Sequence, residues 1–200
     1  LYAPLILKLI DKVTSMGLEI KTICPDHGVI WRKDPGKILA AYGQWSRQTP
    51  KRKAVLVYDT MWHSTERMAE AIAAGLSVEG IQVRPMYLRK WHRSDVMTEV
   101  LDAKAVIVGS PTLNNGLFPT VSDFLTYMKG LKPVGKIGAA FGSHGWSGEA
   151  TKLITQELES LQFEMVAPIR RQFVPDGKSL DESYEFGRAI GRQIVAQVPA

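Results

Sequence analysis

The ordering of apolar and polar positions is most regular from Lys53 onward. Ala54-Val55-Leu56-Val57-Tyr58 is an unbroken apolar run, the pattern of a short strand buried on both faces. Met68, Ile72 and Leu76 follow at helical spacing with Ala69 and Ala73 beside them, and Gly80 suits the C-terminal cap of that helix. A second strand is predicted over 81–87 and a short helix over 94–101. Ala105-Val106-Ile107-Val108 forms the third strand, ending at Gly109. Pro119 fits the first turn of a helix carrying Val121, Phe124, Leu125 and Met128. A fourth strand is predicted over 137–141. A helix striped by Ile154, Leu158 and Leu161 follows, then a fifth strand over 163–169. Phe186, Ile190 and Ile194 stripe a last helix.

Strands alternating with helices in this way predict an α/β fold, a doubly wound five-stranded parallel sheet. Right-handed crossovers leave few arrangements, and five strands favour the order 2-1-3-4-5. In that order a ligand crevice lies beyond the carboxyl ends of the strands, where strands one and three part. The loops after strands one, three and four therefore carry the candidate chemistry.

Composition narrows the function classes. The chain has 200 residues, 45% hydrophobic and 22% charged, with a single cysteine. A chain of this length buries roughly 70% of its unfolded surface and needs no disulfide or metal to fold. One cysteine, Cys24, excludes a disulfide framework and a four-cysteine zinc site. The apolar stretch Leu5 to Ile10 is interrupted by Lys8 and falls short of the roughly 20 residues of a membrane span. No signal peptide is visible, so a cytoplasmic location is expected. A first residue of Leu1 rather than Met reads as a chain that begins inside a longer protein or follows processing. The net charge of +5 sits entirely in residues 1–52, which hold nine Lys/Arg and four acids, while the remainder is neutral. A nucleic-acid reader would carry a basic stripe on its folded body, so the charge instead marks a boundary. Gln48-Thr49-Pro50-Lys51-Arg52 reads as a polar linker, dividing residues 1–48 from a domain over 49–200.

The loop after strand one reads Asp59-Thr60-Met61-Trp62-His63-Ser64-Thr65-Glu66. It has neither the glycine-rich dinucleotide fingerprint nor a P-loop. Its hydroxyls at Thr60, Ser64 and Thr65 lead into a helix N-terminus, where free N–H groups and the helix dipole attract an anion. That arrangement would hold a phosphate monoester without Arg or Lys; the plainer reading is that Ser64 or Thr65 caps the helix. After strand three comes Ser110-Pro111-Thr112-Leu113-Asn114-Asn115-Gly116, suited either to a flat polar heterocycle or to an ordinary turn. After strand four, Gly142-Ser143-His144-Gly145-Trp146-Ser147-Gly148 sets one tryptophan among glycines, a poor core segment but a good surface for a ligand ring. His144 either bonds that ligand or is simply solvated. Together the loops suit a phosphorylated planar cofactor such as FMN, with Trp146 against its ring and Leu113 on the opposite side. A phospho-receiver domain needs an acid at the end of strand three, where Gly109-Ser110 stand.

These three loops closely resemble those of the flavodoxin domain of flavodiiron proteins, over about residues 53–198. The resemblance assigns FMN contacts to Thr60 through Thr65, Ser110 through Gly116 and Ser143 through Gly148. It extends upstream: Ile23-Cys24-Pro25-Asp26-His27-Gly28-Val29-Ile30-Trp31-Arg32 is similar to the end of that family's metallo-β-lactamase-like domain. The resemblance makes His27 the last iron ligand, and residues 1–40 a terminal helix, strand and ligand loop. The family's other ligands, in a His-x-Glu-x-Asp-His motif and later positions, are not in this sequence. The apolar strips 5–10 and 18–23 are therefore expected to be disordered or packed against another chain. In that family FMN passes electrons, usually from rubredoxin, to a non-haem diiron centre that reduces dioxygen to water or nitric oxide to nitrous oxide. A head-to-tail homodimer places the FMN of one subunit beside the iron of the other. The implied partners are thus a rubredoxin-like donor and a second copy, with no nucleic acid and no membrane. The rival class is an NAD(P)H-dependent quinone reductase on the same fold, which would oxidise NAD(P)H without an added reductase.

Overall fold

The computed structural model describes residues 2–199, and the chain divides into two compact units between Thr49 and Pro50. The first unit holds helix α1 (Ala3–Ser15), an antiparallel bridge between Ile23 and Trp31, and helix α2 (Pro35–Arg47). The strip over 5–10 is an ordered helix, which corrects the expectation of disorder. Ile6, Ile10 and Val13 recur at helical spacing and are half-buried, lining a groove of about 510 Å³ with Leu39, Ala40 and Gly43 of α2. Leu5 and Leu9 remain largely exposed, Leu9 at the edge of the same groove. Helix α2 was not anticipated, although Pro35 stands in its first turn as helix starts favour.

The second unit runs β1 (Lys51–Tyr58), α3 (Ser64–Val78), β2 (Gln82–Tyr87), α4 (Arg93–Leu101), β3 (Ala103–Gly109), α5 (Pro119–Leu131), β4 (Ile137–His144), α6 (Glu149–Ser160), β5 (Glu164–Gln172) and α7 (Gly177–Gln197). The sheet is parallel in the predicted order β2-β1-β3-β4-β5. Alternation along β1 sends Ala54, Leu56 and Tyr58 to one face and Val55 and Val57 to the other. The first face packs on α3 and α7 through Met68, Ile72, Phe186 and Ile190, and the second on α4, α5 and α6 through Val96, Phe124, Met128 and Ile154. Burying both faces of the inner strands is what demands their continuous apolar runs. Edge strand β2 accommodates Pro85, as an edge position permits.

Two boundaries differ from expectation. Lys51 and Arg52 belong to β1 rather than to a linker. The strand can extend because its charges are paired: buried Lys53 meets Glu99 at 2.7 Å and Asp102 at 2.6 Å. At the other end β4 continues through Ser143 and His144, which pair with Arg171 and Gln172 of a longer β5. Gly80, with φ of 76°, closes α3 as predicted, its N–H on Ser77 O while the Ile81 N–H bonds Leu76 O.

Candidate functional site at the strand carboxyl ends

The register sets Tyr58, Gly109 and Phe141 side by side across β1, β3 and β4, so the loops that follow open on one edge. A crevice of about 340 Å³ lies there. Met61, Trp62 and Ser64 line it from the first loop, Pro111 and Thr112 from the second, and Ser143, His144, Gly145 and Trp146 from the third. Three loops far apart in sequence thus meet as the strand order requires.

The first loop reaches α3 through His63, which is left-handed at φ 63° and supplies no side-chain cap; its Nδ1 lies 2.6 Å from Glu66 Oε2. Ser64 and Thr65 are not caps either. Thr65 is fully buried, and its hydroxyl lies 2.9 Å from that of Ser143, tying the helix start to the end of β4. The helix N-terminus thus retains its dipole and its orphan N–H groups. Thr60 Oγ1 is buried with no hydrogen-bond partner, and so is His144 Nδ1. Buried polar atoms without partners carry a desolvation cost that a bound group can remove.

The second loop is braced rather than open. Asn114 and Asn115 both have positive φ, 48° and 58°, and Leu113 and Gly116 exchange backbone hydrogen bonds of 3.1 and 2.8 Å. This is a two-residue turn of the kind Asn favours. Leu113, Asn114, Asn115 and Gly116 do not line the crevice. Ser110 is buried, its hydroxyl donating to Pro111 O and accepting from Phe118 N. The Ser147 hydroxyl, 3.3 Å from Asn115 Oδ1, donates to Glu149 Oε2, which lowers the Glu149 pKa below the usual carboxylate range. Gly148 starts α6 at φ 77°; a Cβ there would stand 2.9 Å from the His144 ring. A glycine is therefore required on both counts.

Two aromatic rings flank the crevice almost wholly in solvent: Trp62 is 81% exposed and Trp146 is 92% exposed. Ring surface of that size left open invites a flat apolar partner. Phe173 and Val174, just past β5, complete the wall, and both are exposed. The loop pattern after strands one, three and four does not reach them, although an apolar pair before Pro175-Asp176-Gly177 at a strand end is a usable signal. Asp59, Arg89 and Thr120, unmarked by the sequence pattern, join in a network beneath the first loop in which Asp59 is wholly buried while the Arg89 side chain stays about half exposed. Beside them Tyr58 stacks on Tyr87 at 5.4 Å, its pKa pushed up to about 12 by burial and by Glu66 and Glu70.

An uncapped helix start, an orphaned threonine hydroxyl and open aromatic faces fit a phosphorylated planar group such as FMN. His27 belongs to the first unit and is exposed. Among the described residues no group of three or more His, Cys, Asp or Glu is arranged to hold a metal ion. These residues do not by themselves fit a pair of iron ions. No helix among them is long and apolar enough to cross a membrane.

Comparison with known proteins agrees with the geometry. The flavodoxin family matches residues 56–187. The nitric oxide reductase of Moorella thermoacetica is 46% identical over 195 residues, 96% of this chain and 49% of its own length. The structure of rubredoxin oxygen:oxidoreductase from Desulfovibrio gigas superposes with a TM-score of 0.94 at 43% identity, over 100% of this chain and 50% of that one. The flavodiiron protein from Giardia intestinalis follows at a TM-score of 0.93 and 32% identity, over 98% and 49% respectively. The chain therefore spans about half the length of the relatives it matches. It belongs to the flavodoxin family, and its relatives are flavodiiron proteins.

Proposed function

We propose that the chain binds one FMN, non-covalently, in the crevice at the carboxyl ends of β1, β3 and β4. The orphaned Thr60 hydroxyl beside an uncapped α3 N-terminus carries this reading. The first loop would take the phosphate, with the α3 amides and the hydroxyls of Thr60 and Ser64 donating. Thr65, already paired with Ser143, would hold the loop against β4 and share its hydroxyl. Trp62 and Trp146 would cover the ring system, exclude water from it and orient it. Asn114, Asn115 and Gly116 would act through the braced turn. Bound FMN supplies the one- and two-electron chemistry, and the protein's part is binding, orientation and electrostatics.

In its larger setting the chain is proposed to be the electron-transfer domain of a flavodiiron oxidoreductase. It would pass electrons from a rubredoxin-like donor toward a non-haem diiron centre reducing dioxygen, nitric oxide or both. His27 would join the iron ligands only with others supplied from outside the described residues, as a working iron pair needs several imidazoles and carboxylates converging. A head-to-tail homodimer would set the crevice facing the partner's iron. The test is a titration of the flavin-free chain with FMN. Saturation at one per chain with a shifted visible spectrum is expected, and a chain that stays colourless would overturn the reading.

A further inference from the structure

We propose that Asp59 and Arg89 form a charge-balanced clamp that preforms the phosphate-binding loop, so that both are positioning residues for FMN. The proposal rests on the FMN reading above. Asp59 directly follows β1 and is wholly buried. Its Oδ1 accepts the Thr60 N–H at 2.6 Å and Arg89 Nε at 3.0 Å, and its Oδ2 accepts the Thr120 hydroxyl at 2.5 Å. Arg89 then turns its Nη2 onto Thr60 O at 3.1 Å. The peptide groups on both sides of Thr60 are thus bonded, one by the carboxylate and one by the guanidinium. The Thr60 hydroxyl is the polar group of that residue left without a partner. Thr120, in the first turn of α5, secures the same carboxylate from a third element.

The charges explain why the pair is needed together. A carboxylate at 0% exposure directly under an anion-binding loop would repel the phosphate and carry a heavy desolvation cost. Arg89 offsets both, and its position is fixed: its guanidinium lies over the Phe118 ring, 5.3 Å from the centroid. A lysine could balance the charge, but a point donor cannot reach two acceptors in different directions as a planar fork does.

The experiment titrates the flavin-free full chain with FMN and with riboflavin, which lacks the phosphate, reading the quenching of flavin fluorescence. R89Q is expected to weaken FMN at least about tenfold, the cost of leaving a buried charge unpaired, with riboflavin changed less than about twofold. D59N/R89Q should recover most of the FMN affinity, because a neutral amide needs no cation. R89K should fall between R89Q and wild type, and it carries the same FMN-to-riboflavin comparison if R89Q does not fold. A wild type that binds FMN beside an R89Q variant of equal affinity overturns the clamp alone. So does a parallel loss of FMN and riboflavin, which is the mark of a merely structural role. A wild type that takes neither flavin overturns the FMN reading and the clamp with it.

Discussion

Thr60 has a hydroxyl with nothing to bond while both neighbouring peptide groups are satisfied. Thr60→Val should therefore act in opposite directions on two quantities. Removing an unsatisfied buried hydroxyl should leave the flavin-free chain as stable or more stable by about 1 kcal/mol. Losing a donor to the phosphate should weaken FMN by a similar amount and riboflavin hardly at all. Urea unfolding and flavin titration of the same variant check the two signs. Trp146 offers a contrasting case. At 92% exposure it contributes little to folding, so Trp146→Ala should shift unfolding by less than about 0.5 kcal/mol. Its loss should still weaken FMN by roughly 1–3 kcal/mol, taking base–aromatic stacking as the guide. Unchanged FMN affinity in a fluorescence titration would remove it from the site. Residue types in the three loops were enough to single out Thr60, Ser64 and Trp146 as candidates. They could not mark Arg89, because its role depends on a carboxylate that lies thirty residues away in sequence and comes within reach only when β2 pairs with β1.

At the scale of elements, helices α3 and α7 approach so closely that a Cβ on Gly187 would lie 2.2 Å from Ile72 O, and one on Gly75 2.0 Å from Tyr184 O. Alanine is the better helix former by about 1 kcal/mol, yet Gly187→Ala should destabilise the fold by about 1–3 kcal/mol, since backbone cannot yield as a side chain can. A urea midpoint at least as high as wild type would show that the helices can separate without cost. At the opposite end of the sheet Lys136 is 2% exposed and donates to Leu101 O at 3.1 Å and Ala103 O at 2.7 Å. Burial lowers its pKa to about 8, against 10.5 for an exposed lysine. Between those values the unfolded chain binds more protons than the folded one, so this lysine makes stability rise with pH across that window. Tyr58, raised to about 12, reverses the trend above about pH 10, where the unfolded tyrosine gives up its proton first. Wild type should therefore gain stability of order 2 kcal/mol from about pH 8 toward pH 10 and lose it beyond. Lys136→Met should flatten the rise, and urea midpoints across that range measure it. Glu99 and Asp102 act at the acid end. Hydrogen bonds from Lys53 hold Glu99 low, and those from Lys51 and Lys53 hold Asp102 low against its burial. Their contribution is present above the usual carboxylate range and is lost as pH falls through their lowered values.

For the whole molecule, the described residues assemble a flavin-type crevice but bring together no set of metal ligands. The chain alone should therefore cycle FMN with a chemical or protein donor yet consume nitric oxide at no catalytic rate. An anaerobic nitric oxide assay beside a protein that joins this chain to a diiron domain checks this. Equal rates per flavin would oblige the flavodiiron assignment to be withdrawn. The strand and helix pattern of 53–200, the sheet order and the convergence of three loops were legible in the sequence. Burial on both faces imposes continuous apolar runs, and right-handed crossovers leave few ways to wind them. Local chemistry likewise marked the Gly80 cap and the helix start at Pro119. What the sequence could not decide depended on distant neighbours. Lys51 and Arg52 read as linker until Glu99 and Asp102 stood beside β1 to pair its charges. Ser143 and His144 read as loop until β5 extended to pair with them. Phe173 and Val174 joined the crevice only because β5 ends next to β4. Hydrophobic periodicity is written residue by residue along the chain, whereas ion pairs, strand extension and a site wall are relations between segments that only the folded sheet brings within bonding distance.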